Sequence, residues 1–179
     1  DALPIFVKHE LASSAYNKRR QSCEAAVAAI QKKHPHVEFL RDCTMEMLEE
    51  AKADISDEDY MRAEYVIEEI QRVLDVCDAL EKDDYETVGQ KMYETHHGMS
   101  KLYEVSCEEL DFLNDCAKEY GVTGSRVMGG GFGGCTINLV KDELYDNFVE
   151  KTKEAFKAKF GRSPKVYDVV IGDGSRRLE

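Results

Sequence analysis

The chain has 179 residues, with 24 Lys+Arg against 36 Asp+Glu and a formal net charge of −12. That length holds one domain with a sizeable core, and 42% hydrophobic with 34% charged residues is a globular composition. So acidic a balance excludes general affinity for nucleic acid or an anionic membrane, both of which need a basic surface.

No run of about 18 apolar residues and no basic-then-apolar leader is visible, so the chain reads as cytoplasmic, with no membrane partner. It starts at Asp1 rather than at a methionine, which reads as a fragment. Cys23, Cys43, Cys77, Cys107, Cys116 and Cys135 form no CxxC pair and have no histidine at zinc spacing. They read as reduced, mostly buried thiols without a metal.

Ten of the twelve glycines fall between Gly121 and Gly174, so the first two thirds of the chain should be helical and the last third should hold tight turns and strands. After an apolar stretch, Ile5 to Val7, Ser13 or Ser14 caps a helix whose buried face reads Tyr16, Cys23, Val27 and Ile30, ending before Pro35. A short helix follows over Thr44 to Ala51. Ser56 to Asp59 resembles a capping box, and Ala63, Val66, Ile67, Ile70, Val73, Leu74, Cys77 and Leu80 recur at helical steps after it. The next helix starts near Asp84 with Tyr85, Val88, Met92, His96 and Met99 on one stripe. A capping box at Ser106 to Glu109 opens another through Leu110, Leu113, Cys116, Ala117 and Tyr120, stopping at Gly121. The period then changes to two. Cys135 to Val140 is a strand, with Gly124 to Met128 as its antiparallel partner across a glycine loop. A helix from Asp142 to Phe160 ends at Gly161, and Lys165 to Ile171 makes a further strand before the turn at Gly172-Asp173-Gly174.

Residues 128–135 read Met-Gly-Gly-Gly-Phe-Gly-Gly-Cys, five glycines in the six positions from Gly129 to Gly134. Such a loop adopts positive φ readily and presents several N–H donors in a small volume, which suits phosphate oxygens. Gly129, Gly131 and Gly134 satisfy GxGxxG, but the dinucleotide fingerprint lies between a strand and a helix, and here a strand follows. A Walker-type loop fails because Gly130-Gly131 stand where Lys-Ser/Thr should be. A hairpin turn would need two or three glycines; five indicate that something else comes close to this backbone.

Ser125 to Met128 followed by GGGFGGC and an alternating strand resembles the third signature motif of the GHMP small-molecule kinase superfamily, and within it the galactokinase family. Three segments support the resemblance: Val7 to Tyr16 (VKHELASSAY), Arg19 to Glu24 (RRQSCE) and Tyr103 to Asp111 (YEVSCEELD). It runs from Val7 to near Gly174. The resemblance implies an α+β fold, an antiparallel sheet packed against helices, of the ferredoxin-like GHMP kinase C-terminal type, as one domain over residues 1–179. Pro4-Ile5-Phe6 departs from the family's Asn/Asp-Thr-Asn, so residues 1–6 read as a non-native junction.

By the same resemblance, the family's reaction moves the γ-phosphoryl group of ATP to the C1 hydroxyl of α-D-galactose, with Mg²⁺ on the nucleotide; the alternatives are a related GHMP sugar kinase acting on N-acetylgalactosamine and a non-catalytic galactose/ATP sensor of the same fold. Tyr16 stands where the family's tyrosine hydrogen-bonds the sugar, a role a phenol suits because it packs and both donates and accepts. Gly129, Gly130, Gly131, Phe132, Gly133 and Gly134 correspond to the loop that closes on the active site, where positioning matters most for phosphoryl transfer. The family's sugar signature, serine-rich ATP loop, magnesium ligand and catalytic aspartate and arginine do not occur in these residues. The chain is therefore expected to be the carboxy-terminal half, inactive alone, holding no metal ligand or catalytic residue, with the absent half as its native partner. His34, His36, His96 and His97 read as surface or packing histidines, and His9 as orienting its segment. Lys18, Arg19 and Arg20 can reach a phosphate or, by default, pair with nearby carboxylates.

Overall fold

Six α-helices and one two-stranded antiparallel sheet make up the described residues of the computed structural model, 14–169 and 172. The expected Ile5–Val7 stretch, the Ser13 cap, His9, Val170, Ile171, Asp173 and Gly174 lie outside those residues.

Helices α1 (Ser14–Gln31), α2 (Met45–Ala51) and α3 (Asp57–Glu81) enclose a core of Ala26, Ala29, Ile30, Val37, Leu40, Leu48, Ala51, Ala63 and Ile67. Thr44 accepts from the Met47 amide, Ser56 from that of Asp59, and Asp84 from that of Thr87, so the expected starts of α2, α3 and α4 (Tyr85–Lys101) are capped by side chains. Each such cap is worth about 1 kcal/mol. Helix α4 then lies directly on strand β1 (Gly124–Val127): a Cβ at Gly89 would overlap the Thr123 carbonyl, and one at Gly124 would overlap the Gly89 Cα. Two glycines let the backbones touch at the first residue of β1.

Helix α5 (Glu108–Glu119) covers the sheet and anchors it: the buried Asn114 donates through Nδ2 to the Ser125 carbonyl at 2.8 Å. Strand β2 (Thr136–Leu139) pairs in the register Gly124 with Leu139 through Val127 with Thr136. A short 3-10 turn, Asp142–Leu144, leads into α6 (Tyr145–Phe160), which Gly161 closes in the left-handed conformation at φ +69°. The antiparallel sheet packed against helices agrees with the expected fold class.

Several details differ from expectation. The buried line of α1 is Ser22, Ala26, Ala29 and Ile30, and Tyr16 is 52% exposed. Small residues mark where α1 meets α3, a line that large apolar residues do not reveal. On α3, Val73, Leu74, Cys77 and Leu80 are exposed, because the packing of α1 and α2 reaches only to Ile67; apolar periodicity identifies a helix but supplies no neighbour. Tyr85, the first residue of α4, is exposed as well. Ser106 caps nothing: α5 starts at Glu108 with Cys107 at the cap position and no side-chain cap, and the Ser106 hydroxyl donates to Asp111 Oδ1 at 2.6 Å. Residues 165–169 form no strand, there being no third ladder partner among the described residues. Of the thiols only Cys116 is buried; Cys77 is exposed and the other four are half-buried.

Candidate active site

The glycine loop joins β1 to β2, and chain geometry accounts for only part of its composition. Gly129, Gly131, Gly133 and Gly134 have φ of +80°, +81°, +123° and +95°, and Phe132 has +59°. A side chain in that region costs roughly 1–2 kcal/mol. At Gly131 a Cβ would also strike the carbonyl and side chain of Val105. The Phe132 amide donates to that same carbonyl, and Phe132 packs against the cluster of Tyr65, Met99, Val105, Leu110 and Val127. Gly130 is different. Its φ is not positive, and a Cβ there would meet nothing within 4 Å. The described chain has no need of glycine at 130.

The seat under Gly131 and Phe132 is the segment 103–105, which turns through a left-handed Glu104 at φ +54°. Arg19, on α1, holds it by two carbonyls: Nε donates to Tyr103 O at 2.9 Å and Nη2 to Glu104 O at 2.6 Å. Its guanidinium carbon also stands 5.5 Å from the Phe132 ring centroid. Arg62, 4% exposed on α3, donates to Ser22 Oγ at 2.9 Å and to Glu104 Oε2 at 3.1 Å, and pairs with Glu58. Burial lowers the Arg19 pKa, the nearby Arg62 adds to this and Glu104 opposes it; a guanidinium stays charged regardless.

Beside the seat, Asp111 on α5 collects Ser106 at 2.6 Å, Ser100 at 2.8 Å and His96 Nε2 at 3.1 Å. Burial pushes the Asp111 carboxyl up, but the two hydroxyls with His96 and Lys101 outweigh it and hold the pKa below its usual value. Burial lowers the pKa of His96, and the Asp111 charge offsets this only in part, so the ring is neutral and donates from Nε2.

Tyr16 sits on the exposed side of the first turns of α1. It lies one turn before Arg19, so it shares that helix end with the residue that reaches the loop's seat. Arg20 pairs instead with Glu24 at 2.8 Å. His34 meets Glu50 at 3.1 Å and His97 is exposed, whereas His96 is a buried member of the network around Asp111. The sequence marks Tyr103 to Asp111, Glu104 included, as a motif without revealing its role, and it leaves Arg62 unmarked.

Residues 76–158 match the family described as GHMP kinases C terminal. That segment is a GHMP kinase C-terminal domain. The chain is 43% identical to a galactokinase of Clostridium beijerinckii over 173 residues, which is 96% of this chain and 44% of that protein. It is 39% identical to a galactokinase of Thermotoga petrophila, again over 96% of this chain and 47% of the relative. A crystal structure of Lactococcus lactis galactokinase complexed with galactose superposes with a TM-score of 0.85 at 27% identity, covering 95% of this chain and 44% of that one. The chain thus spans a little under half the length of the relatives it matches.

Among the described residues, no group of three or more His, Cys, Asp or Glu side chains is placed to hold a metal ion. No described helix is long and apolar enough to cross a membrane. A wide groove bordered by Arg72, Gln90, Tyr93, His97 and Lys118 contains no residue of the glycine loop, and its open, mixed-charge walls carry no convergent chemistry.

Proposed function

We propose that this chain is the carboxy-terminal half of a galactokinase, which transfers the γ-phosphoryl group of ATP to the C1 hydroxyl of α-D-galactose with Mg²⁺ on the nucleotide. Its share of the work is positional: one wall of the sugar site, with Tyr16 hydrogen-bonding the sugar, and the loop from Gly129 to Gly134 brought against the reacting groups. The observation that carries this reading is Gly130. A glycine that neither φ nor packing demands, in a loop whose other glycines are demanded by the fold, is accounted for by a ligand that comes within contact of the backbone. Loop amides so placed orient phosphate and sugar oxygens and exclude water; they transfer no proton.

The catalytic aspartate and arginine, the ATP loop and the magnesium ligand belong to the other half, so the isolated chain is inactive. ATP, galactose and that half are its partners, in the cytoplasm. The test is a phosphorylation assay of the full-length protein against a panel of sugars, beside the isolated chain. Galactose 1-phosphate from the full-length protein and none from the chain is expected. No product with galactose, or product only with an N-acetylated sugar, overturns the assignment, and turnover by the isolated chain overturns the division of labour.

A further inference from the structure

One contact ties the helix end that carries Tyr16 to the seat of the glycine loop. Arg19 places its fork on two consecutive carbonyls, Tyr103 O and Glu104 O, at the point where the backbone takes a positive φ at Glu104. The next carbonyl along, that of Val105, receives the Phe132 amide, and the face of Phe132 lies against the same guanidinium. The path from α1 to the loop is therefore one side chain and one residue of backbone. Arg62 also holds Glu104, through its carboxylate, and Tyr103 is pinned between the Cys23 thiol at 3.7 Å and the Tyr65 ring at a centroid distance of 5.2 Å. The segment is thus clamped from α3 as well, and what Arg19 adds is a fixed relation between α1 and the loop.

We infer that Arg19 is a positioning residue, which sets the glycine loop relative to the Tyr16 end of α1 through the Tyr103 and Glu104 carbonyls and so orients the sugar and phosphoryl groups. This rests on the galactokinase reading of the site. Arginine suits the task because its planar fork serves two acceptors with one geometry, while the three rotating donors of a lysine ammonium fix no direction. A misplacement of about 1 Å at a reacting centre lowers turnover by roughly a hundredfold without weakening ground-state contacts.

The test compares Arg19→Gln and Arg19→Lys with the parent. In the full-length enzyme, kcat falls roughly 10- to 100-fold in Arg19→Gln, with a smaller loss in Arg19→Lys, while KM for galactose and ATP stays within about twofold. In the chain itself, amide hydrogen exchange at Phe132 speeds up while the α4 amides from Val88 to Met99 are unchanged. Parent-like kcat in both variants overturns the inference, as does a loss of activity that tracks global unfolding with no separate change at Phe132. A full-length parent inactive on galactose refutes the proposed function alone, because the exchange experiment still decides whether Arg19 sets the loop.

Discussion

The two parts of the glycine loop carry the same residue for different reasons. Gly131 is glycine because the chain requires it: its φ is +81° and a Cβ would collide with Val105, the residue that receives the neighbouring Phe132 amide. Gly130, one residue earlier, has an ordinary φ and open space around its Cβ position. A run of glycines is thus not one signal. One part of it reports the fold, and the other, on the function proposed above, answers to a ligand.

The sharpest break in this comparison is Gly131→Ala. The substitution combines a left-handed alanine with a backbone collision, and together these cost roughly 2–4 kcal/mol, read as a lowered urea midpoint of the isolated chain. A parent-like midpoint would mean that the seat yields and that the two parts of the loop do not differ.

A smaller effect comes through the network beside the seat. Because His96 is held neutral in the fold, the unfolded chain takes up its proton first as pH falls. Stability is then full above the unfolded value near 6.5 and declines as pH drops through it towards the lower folded value. Asp111, whose folded pKa is also lowered, adds a loss in the same direction at more acid pH. Unfolding measured between pH 8 and pH 5 should fall off in this way, and His96→Gln should flatten the slope around pH 6. An unchanged slope in the variant would show that His96 does not set it.

The smallest change in stability is expected at the exposed end of α1. Tyr16→Phe should move the urea midpoint by less than about 0.5 kcal/mol equivalent. In the full-length enzyme it should raise the KM for galactose roughly three- to tenfold, the worth of one hydrogen bond. An unchanged KM would place the sugar away from this helix end.

Much of this was legible because it is local. Thr44, Ser56 and Asp84 announce helix starts within three residues of themselves, and the period-two strand across a glycine loop dictates its own pairing. The arginine grip was not legible, since Arg19 and Tyr103 are 84 residues apart and backbone carbonyls leave no mark in a sequence. Ser106 misled because the helix starts one residue later than a Ser106 cap would place it, with Cys107 at the cap position. The α3 stripe misled because a helix face can be apolar without any described residue to cover it.

If Gly130 answers to a ligand and not to the fold, alanine there should spare stability and remove activity. Gly130→Ala in the full-length enzyme tests this most directly, with unfolding and galactose-dependent ADP formation measured on the same preparation. The expected result is an unfolding midpoint equal to the parent's within about 0.5 kcal/mol equivalent and a turnover lower by roughly a hundredfold or more. An alanine enzyme that turns over like its parent would contradict the role given to Gly130.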